Sequence, residues 1–513
     1  MKLKRILGRA VKVLIFFLIA ALLFCLSNVF FTPKWRNTWR STDTVTGFYA
    51  LEKDSIDTLV LGSSQIISSV SAMQLYQEQG IRAYSLGTER QPVMGSYYLL
   101  KDALRTQPNI RTVVLEVTEL FAQCNEASYR KAFDYMPLTS VKWEGIQERV
   151  RWAEKLDAEK GTHDAPTLAS YALPILSYHE RWNELSRDDF TYFLEDRSDL
   201  TRGLTTQPAR GAKADYLPLD TESTAVCAQP VDEALYFFRA ICTLCEEQNL
   251  SLVLLKTPRL DWTIEEYNTV YALAKEYDIP YLDFNTEKLN LAIGFDYGTD
   301  ILKGSETHLN LSGAGKLTAY LGSYLTRHCP VLDVRTNPTY DYMAEDLTVY
   351  RQNLNDANLT LVEDCGAYLS RLYRDRYSVL VAVTPAEACA YPDSVKRSLE
   401  QFGLDPRATD GSCYVAAVEQ GTVLADQWST GTVTQSVTLS DGVYCTLTSS
   451  GGKLDPSCSI TIDGTEYAVN KSGLNIVVYN HETGKVVDSV AFQFTETETE
   501  TETGLELTAS TAR

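Results

Sequence analysis

Apolar positions along the chain fall into three regimes. The first is one unbroken run. Residues 1–12 carry Lys2, Lys4, Arg5, Arg9 and Lys12 and no acid, and Val13–Phe31 then continue for nineteen residues without a charge. As a helix this run spans roughly 28 Å, about one hydrocarbon core. The basic flank is expected to stay cytoplasmic, which sends everything after Phe31 to the extracytoplasmic face. No small-x-small site follows the run, so an uncleaved anchor is expected over 13–31 rather than a signal peptide.

The second regime alternates short apolar runs with helical periodicity. Runs at Ile56–Leu61, Ile81–Leu86, Thr112–Val117, Leu250–Thr257 and Ile279–Phe284 read as strands. Helical patterns at 72–80, 96–106, 231–249 and 263–278 separate them. Strand, helix, strand in this rhythm predicts a parallel sheet with helices on both faces, a three-layer doubly wound α/β fold. A polar, Trp- and Tyr-rich stretch over 119–230 reads as a helical insertion. The third regime begins near residue 375, after a helical connector over 331–374. Runs at Tyr377–Val383, Cys413–Val418, Val433–Leu439, Ile460–Val469, Leu474–Tyr479 and Val486–Phe494 are β-rich, and turns such as Asp441-Gly442 and Asp463-Gly464 punctuate them. This predicts a second, mainly β domain over 375–495 with one helix near 393–402. The Thr/Glu tail, 496–513, is expected to be disordered.

Composition narrows the function. The 513 residues exceed what one core accommodates. Formal net charge is −20, with 47 Lys+Arg against 67 Asp+Glu. An acidic chain repels phosphate backbones, so no nucleic-acid partner is expected. Eleven cysteines do not make a disulfide scaffold in a chain this long. Cys242 and Cys245 lie mid-helix, where a buried core pair is expected rather than a redox motif. No phosphate loop and no metal spacing appear, so no cofactor and no metal are expected.

In an open parallel sheet, ligands bind beyond the carboxyl ends of the strands. Ser63 and Ser64 follow the first strand, Gly87 follows the second, and His308 follows the last. A serine hydroxyl needs a base in reach, and neutral imidazole suits pH 7. Backbone amides beside a glycine can hold an oxyanion. Taken alone, Gly62-Ser63-Ser64 after a strand is more often a turn and helix cap than a nucleophile. The insertion offers a second cluster, His179, Arg181 and Trp182, read either as a carbohydrate cleft or as a packed helix with solvated charges.

Gly62-Ser63-Ser64, Gly87 and Thr307-His308-Leu309-Asn310 before Ser312-Gly313-Ala314-Gly315-Lys316 together resemble the blocks of SGNH/GDSL-type hydrolases. The resemblance covers residues 50–330 and is strongest to the membrane-anchored branch that works on cell-envelope polymers. It implies Ser64 as nucleophile, His308 as base, and the Gly87 and Ser64 amides as oxyanion donors. The family's acid stands three residues before the histidine, where this chain has Ser305. Asp300 is the expected substitute, with Glu306 second. Strand three ends Leu115-Glu116-Val117-Thr118, where the family has an Asn after Gly. Residues 375–495, above all Gly473-Leu474-Asn475-Ile476-Val477-Val478 and Val487-Asp488-Ser489, resemble the interleukin-like EMT inducer (ILEI/PANDER) domain, a module implied to bind glycans or partners.

The resemblances imply an O-acyl esterase or acyltransferase acting on cell-envelope glycan through an acyl-serine. The expected partners are that glycan, a membrane-bound O-acyltransferase, and the membrane through one helix. The alternative is a catalytically degenerate scaffold with a binding module.

Overall fold

A computed structural model describes residues 2–512 apart from 37–38, 195–198, 206–215, 303, 306, 374–375, 385–391, 405–411, 452–455, 482 and 498–505. The chain divides into two compact units, 1–351 and 352–513. The division falls inside the helix Tyr342–Leu359.

The helix Lys2–Phe31 opens the first unit. Its segment Val11–Phe31 is long and apolar enough to cross a membrane. Five parallel strands follow: β1 Thr58–Gly62, β2 Ala83–Gly87, β3 Thr112–Glu116, β4 Ser251–Lys256 and β5 Tyr281–Asp283. They lie in the order β2-β1-β3-β4-β5. Alternate residues face opposite layers, as the period of two in a strand requires. Leu59, Leu61, Val113, Leu115 and Leu254 pack with Leu99, Phe237 and Ile241 of helices Val93–Thr106 and Asp232–Glu247. Val60, Val114, Val253 and Leu255 pack with Leu75 and Leu317, Leu321 and Leu325 on helices Ala72–Gln79 and Leu311–His328. The unit is therefore the expected three-layer α/β fold, and both faces being covered explains the near-continuous apolar strands. Cys242 and Cys245 are buried in the first layer, and burial pushes both thiols up to about 12.

The second unit is antiparallel. Its strands are β6 Tyr377–Thr384, β7 Cys413–Glu419, β8 Thr422–Ser429, β9 Val433–Thr438, β10 Tyr444–Ser450, β11 Ser457–Ile462, β12 Thr465–Glu466, β13 Gly473–Asn480, β14 Lys485–Thr497 and β15 Glu506–Ala512. One sheet has the order β15-β14-β13-β6-β7-β8 and the other β12-β11-β10-β9. β6, β7 and β13 are buried along their whole length because both faces are covered. Val379, Val381 and Ile476 meet Leu369 and Leu399 of helices Cys365–Leu372 and Asp393–Gln401. Leu380, Ala382 and Val477 meet Leu447 and Ile460 of the smaller sheet.

Three strands depart from the sequence reading. β8 and β10 are additional strands. The tail is not wholly irregular either: β14 runs on to Thr497 and pairs antiparallel with β15. The open edge of β14 offers unpaired backbone groups, and β-branched threonine suits a strand beside it.

Candidate functional site

β1 has β2 on one side and β3 on the other, so the sheet's change of winding direction lies at its carboxyl end. The chain there turns directly into the short helix Ser64–Ile67. The two serines divide their work. Ser63 caps that helix, its hydroxyl accepting from the Gln65 amide, as the turn reading anticipates. Ser64 points away, and its Oγ lies 2.8 Å from His308 Nε2.

The approach is close enough to demand glycine on both strands. A Cβ at Gly62 would lie 2.7 Å from Glu116 Cβ and 2.8 Å from Ile66 Cγ1. A Cβ at Gly87 would lie 2.8 Å from the Gly62 carbonyl oxygen and 3.0 Å from that of Ser63. Gly87 thus sits against the backbone that carries Ser64.

His308 is held from its other nitrogen by hydroxyls. Ser305 Oγ is 2.8 Å and Thr307 Oγ1 3.1 Å from Nδ1. With Ser64 donating to Nε2, the Nδ1–H donates to these oxygens, which selects the tautomer a base requires. Asp300 does not fill the orienting role expected of it. Its buried carboxylate accepts from the Asp296 amide at 2.8 Å and Ser312 Oγ at 2.7 Å, and pairs with Lys316 Nζ at 2.7 Å. The reason is positional: Asp300 ends the short helix Tyr297–Asp300, turned toward the first turn of Leu311–His328, and braces that helix instead. Glu306, the second choice, lies outside the described residues.

His179, Arg181 and Trp182 are not brought to this site. They form a short 3-10 helix, His179–Asn183, in which Arg181 donates to the Phe31 carbonyl at 2.6 Å. Their surroundings are the end of the helix Lys2–Phe31.

Three neighbours of the dyad, Trp39, Lys256 and Arg259, escaped the sequence reading. Trp39, which follows the helix Lys2–Phe31, packs against His308 with ring centroids 4.3 Å apart and the planes tilted by 33°. Glu116 and Lys256, at the ends of β3 and β4, form a fully buried pair at 3.2 Å, with Lys256 Nζ also 2.8 Å from Thr118 Oγ1. A lone lysine closing an apolar strand was the available signal for the last of these. Arg259, just beyond β4, adds a second positive charge near His308. Among the described residues, no His/Cys/Asp/Glu group is arranged to hold a metal.

Burial, then the positive charges of Arg259 and Lys256, push the His308 imidazolium down to about 4. The sign of the consequence is fixed. A lowered value keeps the ring neutral, and able to accept a proton, down to acidic pH. The acid limb of ester turnover is therefore expected near pH 4 rather than near the 6.5 of free imidazole. Between those values the unfolded chain takes up a proton the folded chain refuses, so stability falls as pH drops through that window. A pH–rate profile of kcat/KM on an activated ester checks this; a limb at about 6.5 would contradict it.

No protein-family model matches the chain, and no curated protein matches it. Among solved structures it is similar to a lipolytic protein of the G-D-S-L family from Desulfitobacterium hafniense DCB-2, at 11% identity and a TM-score of 0.24. That match covers 52% of this chain and 98% of the other.

Proposed function

We propose that the protein is a membrane-anchored serine esterase or O-acyltransferase that works on extracytoplasmic cell-envelope polysaccharide. The observation that carries the reading is the 2.8 Å contact between Ser64 Oγ and His308 Nε2, made between loops 244 positions apart at the carboxyl ends of one parallel sheet. A neutral imidazole there takes the Ser64 proton as Oγ attacks an ester carbonyl carbon. The amides of Ser64 and Gly87 are the proposed donors to the resulting oxyanion. Collapse breaks the bond to the alcohol oxygen, which leaves with the proton from His308. Water, or a sugar hydroxyl in the transferase case, then attacks the acyl-serine and restores the dyad. The basic flank before the anchor supports placing the body on the extracytoplasmic face. Residues 375–495 are proposed as the module that binds glycan or a protein partner.

One observation favours a second reading, a non-catalytic scaffold: among the described residues, which leave out Glu306, His308 Nδ1 faces hydroxyls and no carboxylate. A neutral partner orients the ring but stabilises an imidazolium less than an acid does. Labelling of the full-length protein in detergent with a fluorophosphonate decides between them. Covalent labelling that maps to Ser64, and disappears in Ser64→Ala, is expected. Absence of any label, with no acyl adduct from activated esters, would leave the scaffold reading standing.

A further inference from the structure

The segment 174–194 has no part in the dyad, yet its polar groups are committed. The Ile175 amide donates to Asn28 Oδ1 at 3.0 Å, and Arg181 Nη1 donates to the Phe31 carbonyl at 2.6 Å. Lys34 Nζ donates to the carbonyls of Val29 and Thr32 at 2.7 Å each, and lies 3.9 Å from Asp189. Asp189 also takes Arg181 at 3.3 Å. The carbonyls that a helix leaves unpaired at its C-terminus are thus met by two cations. The ring of Phe30 rests on Phe190 and Phe193, with centroids 4.9 and 6.3 Å away.

What the segment turns outward is apolar. Trp182 is 72% exposed, Leu194 75%, Leu176 52%, and Phe190 and Phe193 44% each. These side chains lie on a segment that packs against the end of Lys2–Phe31, which among the described residues is the helix long and apolar enough to span a bilayer. Water is a poor environment for such a group, and the boundary between headgroups and acyl chains is a good one, where aromatic side chains collect.

We propose that residues 174–194 form a collar that inserts into the interfacial layer of the membrane crossed by the anchor helix. The inference rests on the reading that Val11–Phe31 spans that membrane. The occupant is the lipid itself, held by apolar burial. The segment carries two arginines against four acids, so attraction to anionic headgroups does not drive it. The collar has a consequence for the dyad. Trp39, packed against His308, is eight residues past Phe31, so even a fully extended strap keeps it within about 29 Å of the helix end. Collar and strap together hold the reactive serine near the bilayer surface.

The test uses the full-length protein in nanodiscs of phosphatidylcholine, a fraction of which carries a diazirine near the carbonyl end of one acyl chain. After illumination, adducts are mapped by peptide mass spectrometry. Adducts on the anchor helix and on 174–194 are expected, with little change on adding salt. Trp182→Glu combined with Leu194→Glu is expected to cut the yield on 174–194 at least fivefold while leaving the anchor's yield and the melting temperature unchanged. Adducts on the anchor with none on 174–194 overturn the collar alone. Absence of adducts on the anchor overturns the spanning reading and the collar with it.

Discussion

Ser64→Ala and His308→Ala will each lower turnover of an activated ester such as nitrophenyl acetate by on the order of 10³-fold, and the double variant will be no worse than about threefold below either. The near-equality follows from the 2.8 Å contact: a hydroxyl without its base and a base without its hydroxyl are the same broken unit. Ser305→Ala will cost less, because Thr307 still offers an oxygen to Nδ1 at 3.1 Å. Ser305→Asp is the informative gain. A carboxylate at that place raises the imidazolium from about 4 and stabilises it during proton transfer, so rate at neutral pH rises and the acid limb moves up. Asp300→Asn will move stability rather than the dyad, because the Asp300 carboxylate serves Lys316 and Ser312. Equal activity in wild type and Ser64→Ala would remove Ser64 from the mechanism.

The α/β unit was legible because β1, β3 and β4 are short Val/Leu runs closed by Gly or a charged residue, and helical periodicity fills the gaps. Ser64 and His308 were legible by the same logic, since both follow strand ends. Asp300 was misread because spacing from a histidine says nothing about which way a carboxylate turns. Its partners, Ser312 and Lys316, lie on the next helix at positions that place them over it. Trp39 gave no signal at all: nothing local indicates that the strap after the helix Lys2–Phe31 folds back onto a loop at residue 308. β10 did carry a signal, with Cys445, Leu447 and Ser449 turned inward at a period of two between half-buried neighbours. Its serine and threonine content masked that alternation. The cluster at His179, Arg181 and Trp182 shows the limit of composition. Aromatic and guanidinium groups suit a sugar cleft and a membrane boundary equally, and the contact to Phe31 is what motivates the proposed collar.

Lys256→Ala is expected to destabilise the first unit by about 3–5 kcal/mol, the usual cost of leaving one half of a buried ion pair alone. Neither side chain of the Lys256–Glu116 pair is exposed, so water cannot re-solvate the carboxylate left behind. Burial already pushes Lys256 down from its ordinary value, against the opposing pull of Glu116 first and Asp283 after it. Without the lysine, Glu116 Oε1 would keep the Thr118 amide at 3.0 Å, while Oε2 has no hydrogen-bond partner among the described residues. Glu116→Gln in the Lys256→Met background removes both charges and keeps the volume. That double variant is expected to recover most of the lost stability, since a buried pair exchanged for uncharged groups of similar size is often neutral. Thermal unfolding of the full chain, followed at the transition of the first unit, measures all three. Should the double variant be as unstable as Lys256→Ala, the cost would lie in packing around the lysine stem and not in the orphaned charge. The position of the pair gives the test a second reading. Lys256 helps to hold His308 neutral, so in the double variant the acid limb should rise above about 4 even where stability is restored. A limb that stays in place would assign the depression to burial and Arg259 alone.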